Sequence, residues 1–429
     1  MAARFQQLPL ELIHHVLENL DKASLAVCTL ASRNFMELAR PHRFRRVIWT
    51  FSRLTSYTPG VPGQYQHHLP EHFPLLADFL ESQPKVASYV RHIQLSFIEW
   101  DVMPSHFEVF LRILRHLPRL LTLTLDGIPG DNPKYVVPDP RKMVDLPLVP
   151  RVQALRLKRF NTRRPVGTSH ILCLFGSIDH LIITDGYDNP PHEAESSALD
   201  IPYPMPRLLE LHNHSSFAFV DLLPWLQPHQ IHRLKLLLPR SNGLLAMQEL
   251  VQKVGAALQQ VHFSLVQVGR YPSYLVRKNI LVHNITRGSL DISSATSLES
   301  IVLPLLICHV VPSEPQGPAA RTTTLIHGAI YSFVVAILAT AAQSLRAVTV
   351  ELSVELVEGG WERRRATLFK PAPVKELSQL RELEEVCSRM ALQIFEVRAS
   401  PGGRLSEDEK QKLREALPGL LERGVLRFS

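Results

Sequence analysis

Residues 117–127 read LPRLLTLTLDG, and the fold turns on how that run is spaced. Leu120, Leu123 and Leu125 form an apolar-x-x-apolar-x-apolar hexamer whose second half alternates. Alternation is the period of a strand buried on one face, and Asp126-Gly127 supplies the turn that ends it. Outward from this point the hexamer returns at Val90/Ile93/Leu95, Val152/Leu155/Leu157 and Ile178/Leu181/Ile183. It continues at Leu208/Leu211 with Asn213 in third place, then at Ile231/Leu234/Leu236 and Leu258/Val261/Phe263. Leu298/Ile301/Leu303, Leu345/Val348/Val350 and Leu392/Phe395/Val397 complete the series. Three hexamers share a lead-in: Leu117-Pro118-Arg119, Val149-Pro150-Arg151 and Met205-Pro206-Arg207.

Between the hexamers lie helical patterns, clearest over Ser105–His116, Leu244–Leu258, Ile326–Ala342 and Val374–Met390. Steps of about 23 to 32 residues, widening after Leu258, give an α/β chain of parallel strands alternating with helices. The spacing predicts an irregular leucine-rich-repeat-like solenoid over 86–429. A generic α/β domain with a parallel sheet alternates in the same way; the shared lead-in favours the repeat. Residues 51–85 read as a linker and a lead-in helix. Proline-rich stretches at Ile128–Pro150, Asp185–Pro206 and Pro312–Pro318 are candidate recognition loops or tolerated insertions.

Residues 1–50 differ in kind. Leu10, Ile13, Leu17 and Leu20 make one helical stripe, and Leu12 and Val16 lie on another side of the same cylinder. Pro9 falls in the first turn, where a missing N–H costs little. Leu25, Val27, Leu30, Phe35 and Leu38 extend the pattern through two more short helices, broken near Asp21 and after Ala31. A helix apolar on two sides needs two surfaces to pack against, and about forty residues supply only one.

The set Leu8-Pro9-x-Glu11, Ile13, Val16-Leu17, Leu20-Asp21, Leu25, Ser32-Arg33 and Leu38 resembles the F-box, with Phe35 where that family usually has Trp. The resemblance implies a three-helix domain that docks onto a Skp-type adaptor and through it onto a cullin ubiquitin ligase. It further implies that Leu8, Pro9, Ile13, Val16, Leu17, Leu20 and Leu25 make the adaptor contact. An F-box ahead of an irregular leucine-rich region is similar to fungal F-box proteins of the mushroom-forming lineage. The closing run Leu417–Leu426 looks like their terminal helix and strand. Without a partner protein, the same helices would serve as a cap on the solenoid, in a protein-binding scaffold that is no ligase.

The 429 residues, 45% hydrophobic and 20% charged, describe a globular chain. The net charge of +7 is scattered without a Lys/Arg block, so nucleic acid is not an expected partner. The run Gly328–Ala342 is shorter than the ~20 residues a membrane span needs and reads as a buried helix. Cys28, Cys173, Cys308 and Cys387 are far apart, which fits neither a zinc site nor a disulfide framework. The first helix begins within a few residues of the start and leaves no room for a signal peptide, so a cytoplasmic or nuclear setting is expected.

No G-x-S-x-G, Walker, H-E-x-x-H or dinucleotide motif occurs, and neither catalysis nor a cofactor is expected. The 20 histidines include His67, His68 and His72, and the pair His212 and His214, but neither group has metal-site spacing. On the strands, positions alternating with the buried ones carry Arg156, Lys158, His180, His212, His214, Arg233, Lys235 and His262, with Asp126 and Glu210 as acidic exceptions and Glu351 and Glu396 on later strands. A strip of this sign suits an acidic or phosphorylated segment of an unknown target protein.

Overall fold

A computed structural model describes residues 9–51, 72–97, 107–126, 149–158, 171–184, 206–212, 230–237, 243–264, 290–311, 323–326, 328–341, 343–358, 375–376, 380–399 and 403–429. The chain divides into two compact units, the first holding the described residues through 206 and the second those from 207 on.

The first unit opens with three helices, α1 (Leu10–Glu18), α2 (Lys22–Ala31) and α3 (Arg33–Phe44). Their breaks fall where the sequence places them. The Asp21 carboxylate accepts from Ser24 N at 2.7 Å and the Ser32 hydroxyl from Phe35 N at 3.2 Å, so each caps the helix after it. Pro9 stands one position ahead of α1 as its cap residue rather than inside the first turn. Strand β1 (Arg46–Phe51) follows directly and runs across the expected boundary at residue 50. Then come α4 (His72–Ser82), α5 (Pro84–Ala87), β2 (His92–Phe97), α6 (Phe107–Arg115), β3 (Thr122–Asp126), β4 (Val152–Lys158) and β5 (Ile178–Thr184).

The five strands pair in chain order, all parallel, with the hexamer leucines in register: Ile93, Leu123, Leu155 and Leu181 in one row, Leu95, Leu125, Leu157 and Ile183 in the next. All eight are buried, as are Leu76 and Leu80 of α4 and Ile113 and Leu114 of α6. Strands β2, β3 and β4 are each started by one forked hydrogen bond. The Arg45 carbonyl accepts from Arg91 N and His92 N, that of Arg91 from Leu121 N and Thr122 N, and that of Leu121 from Gln153 N and Ala154 N, at 2.7–3.1 Å.

The second unit repeats the scheme. Its elements are β6 (Leu208–His212), β7 (Arg233–Leu237), α7 (Gly243–Val254), β8 (Gln260–Ser264), β9 (Ser300–Val311), β10 (Thr323–Ile326), α8 (Gly328–Thr340) and β11 (Ala347–Glu358), then β12 (Lys375–Glu376), α9 (Arg381–Ser388), β13 (Ile394–Ala399), α10 (Glu407–Ala416), α11 (Pro418–Glu422) and β14 (Leu426–Phe428). The parallel path runs β6-β7-β8-β9-β11-β13-β14, while β10 turns back antiparallel against β9 and pairs with β12. Carbonyls of Arg207, His232, Gln259, Glu299 and Arg346 make the same fork to the next strand. Gly255 lies where a Cβ would come 2.8 Å from the Ser294 backbone, so helix and loop close only over glycine. The helix α8 is 13 residues long and buries Ile330, Tyr331, Val334 and Ile337; no helix among the described residues is long and apolar enough to cross a membrane.

Two sequence expectations are corrected here. The hexamer at Leu208/Leu211/Asn213 is slipped by two residues, because Leu209 and Leu211, both fully buried, pair with Leu234 and Leu236. A strand keeps the frame that buries its apolar set, here Leu209 and Leu211; Asn213 lies outside the described residues. The helix expected over Val374–Met390 begins only at Arg381, since Lys375 and Glu376 are taken up by pairing with β10.

Candidate docking surfaces

The helical trio has an inside and an outside. Ile13, Leu17, Leu25 and Ala39 form its core, with Leu20, Cys28 and Leu38 packed around them. Leu17 is 1% exposed. Of the side chains expected to meet an adaptor, Ile13, Leu17 and Leu25 are buried in the trio's own core, and Leu20 is half-buried against them. The helices are too short to hide more than one stripe, and the seam with α2 and α3 takes this one. Leu8 lies outside the described residues; Pro9 and Val16 are exposed.

What remains outside is unusually apolar. Leu10, Leu12, Val16, Val27 and Leu30 are 42–85% exposed, half of the ten large hydrophobics so placed among the described residues. Large apolar side chains left exposed in such number on one short segment are a feature of protein-interaction sites. Its frame is fixed by polar ties. The Glu18 carboxylate pairs with Arg45, Arg43 donates to the Thr29 hydroxyl at 3.1 Å, and Lys85 reaches Glu37 at 2.7 Å.

His14 Nδ1 and His42 Nε2 stand 2.9 Å apart, joining α1 to α3. One nitrogen must accept, so the pair holds only while at least one ring is neutral. Burial first, and the charge of His14 next, push the His42 imidazole below its ordinary value, against a weaker pull from Glu18. The unfolded chain then binds the extra proton at a higher pH than the folded one, and stability rises with pH between the two values. The trio is expected to lose stability as pH falls below about 6.5, the ordinary histidine value, and His42→Gln is expected to flatten that slope. Denaturant midpoints at pH 7.5 and 5.5 check both.

On the strand face of the first unit, Arg156 is exposed, and Lys158 and His180 are half-buried. These positions carry the expected basic character. Asp126, in register with Lys158, is the one carboxylate among the described residues on those rows. The second unit differs. Its corrected register sets Glu210 beside Lys235, so that Glu210 lies 2.9 Å from His212 Nε2 and 3.8 Å from Lys235 Nζ. Glu351, buried, lies 3.2 Å from His262 Nε2 and 3.8 Å from Arg398 Nε, and the bond from His262 holds its carboxyl below the usual range. Glu210 and Glu351 thus pair with the basic side chains of this unit, and of its strip residues that are described only Arg233 is exposed. His214 lies outside the described residues, as do His67 and His68. Among the described residues no three His, Cys, Asp or Glu side chains come together as metal ligands.

Compared with known proteins, the chain matches the family model of the F-box domain over residues 5–47. No curated protein matches it. Residues 5–47 therefore constitute an F-box domain, the module through which proteins generally bind Skp-type adaptors and enter ubiquitin ligase complexes, typically without chemistry of their own.

Proposed function

We propose that this chain is the substrate-recognition subunit of a Skp–cullin–F-box ubiquitin ligase, working in the cytoplasm or nucleus. The observation that carries the reading is the exposed apolar outer side of the trio. A helical cap on a solenoid would turn a polar side outward, whereas Leu10, Leu12, Val16, Val27 and Leu30 are open to water. The adaptor covers these residues, together with Leu8 and Pro9. The parallel array is a degenerate leucine-rich-repeat-like solenoid, a reading supported by the recurring fork and in-register leucines. It holds a target protein near the ubiquitin-charged enzyme and raises the effective concentration of its lysines. Arg156, Lys158 and His180 are the target-binding side chains of the first unit, and His212, Arg233, Lys235 and His262, with His214, are those of the second.

The test is co-purification with a Skp-type adaptor. Leu12→Ser with Val16→Ser is expected to weaken capture about tenfold or more, since buried apolar anchors dominate interface energies. Both side chains are exposed in the free chain, so the helical circular dichroism should stay unchanged. Undiminished capture by the folded double variant would overturn the reading.

A further inference from the structure

The strand face of the first unit has a composition that its register makes visible. Arg46 pairs with His92, which pairs with Thr122; Ile48 pairs with Gln94, Gln94 with Thr124, and Thr124 with Arg156. Ser96, Asp126 and Lys158 follow in the next row. Arg46 and Arg156 are exposed, and Gln94 donates to the Ser96 hydroxyl at 3.1 Å. This face therefore sets two open guanidiniums around a floor of amide and hydroxyl groups, with Ile48 on β1 and the Asp126 carboxylate in the adjoining row. His92 lies between them: burial lowers its proton affinity first, followed by the charges of Arg45, Arg46, Arg91 and Arg156. The imidazole stays neutral while the arginines keep their charge.

We propose that this face binds an acidic peptide segment, a run of carboxylates on an extended chain crossing β1 to β4, anchored by Arg46 and Arg156. The proposal rests on the receptor reading and names the chemistry of the target. Neighbouring strands are about 4.8 Å apart, so the three steps from β1 to β4 span about 14 Å. An extended peptide advances about 3.4 Å per residue, and acidic side chains at its first, third and fifth positions span the same length. Guanidiniums that start from strands so far apart meet separate carboxylates rather than one phosphate. Arg favours this role because its fork matches a carboxylate in two bonds. Single-stranded nucleic acid would need stacking platforms, and the described positions on these rows hold no Phe, Tyr or Trp. Gln94 and the Thr122 hydroxyl are placed to bond the peptide backbone between its acids.

The experiment is fluorescence anisotropy of the full chain with a labelled peptide of alternating Glu and Ser. Binding is expected, weakening as salt rises, and Arg46→Gln with Arg156→Gln is expected to lose about tenfold or more. The charge-reversed variant, Arg46→Glu with Arg156→Glu, is expected to take up a Lys/Ser peptide instead. Adaptor capture by the Gln variant should match the unaltered chain, because the outer face of the trio is untouched. Loss of capture only in the Leu12/Val16 variant, with peptide binding intact, separates the two readings. No binding of the Glu/Ser peptide, or equal binding by the Gln variant, would overturn the proposal. So would equal or tighter binding of a singly phosphorylated, otherwise neutral peptide, or of an oligonucleotide of the same charge.

Discussion

Leu17→Ala is expected to melt the helical trio, while Val16→Ala, one residue away, leaves it folded. Leu17 is almost wholly enclosed by Ile13, Leu25 and Ala39, whereas Val16 is 42% exposed. Truncating a buried leucine removes its transfer energy and leaves a cavity, together costing roughly 2–5 kcal/mol. A core of four residues has little else to lean on. The exposed valine belongs to the class of surface changes that usually move stability by about 0.5 kcal/mol or less. The two variants should nevertheless resemble each other in adaptor capture, for opposite reasons. Leu17→Ala loses the surface because the helices no longer hold it; Val16→Ala loses part of the surface itself. Hydrogen exchange over residues 10–44 distinguishes them, with protection lost in the first and retained in the second. Retained protection in Leu17→Ala would remove the distinction between inner seam and outer patch.

That distinction was not legible in the sequence, and the reason is geometric. Periodicity identifies Leu10, Ile13, Leu17 and Leu20 as one stripe and Leu12 and Val16 as another, but it does not say which one turns inward. The choice is made by Leu25 and Ala39 on other helices, which enclose Ile13 and Leu17. The breaks were legible because Asp21 and Ser32 carry their own side-chain acceptors for the orphan N–H groups. Most hexamers were legible too, since two fully buried leucines two residues apart leave one admissible frame. Leu208-Leu209-Glu210-Leu211 allowed two frames, and the neighbouring strand decided between them. Both frames leave Glu210 and His212 on one face; the choice decided that Glu210 stands beside Lys235. Glu351 was readable as an acid on a later strand, but not as a partner reaching across to His262.

The second unit stands or falls with its own packing layer, and Phe263→Ala is expected to cost it more than any surface change. Phe263, on the buried face of β8, meets Phe333 of α8 edge to face, ring centroids 6.0 Å apart at 87°. The next helix is tied to α8 through Tyr331, whose hydroxyl accepts from Leu383 N at 3.2 Å inside the core. Burial pushes that phenol up to about 12, so it stays protonated across the working range. Losing a buried ring costs about 3–5 kcal/mol, and an edge-to-face pair adds about 0.5–1.5 kcal/mol. Set against the ~5–15 kcal/mol that holds a typical domain, this is a large share. Phe263→Leu keeps most of the volume and is expected to cost clearly less. Denaturant midpoints of the two variants, with exchange read in β7, β8 and β9, give the comparison. The His262–Glu351 pair adjoins this layer through the same strand, so Phe263→Ala should also loosen the charge pairing on the opposite face. A midpoint no lower for Phe263→Ala than for Phe263→Leu would mean that filling this volume contributes nothing and that the layer is held by the leucine rows alone.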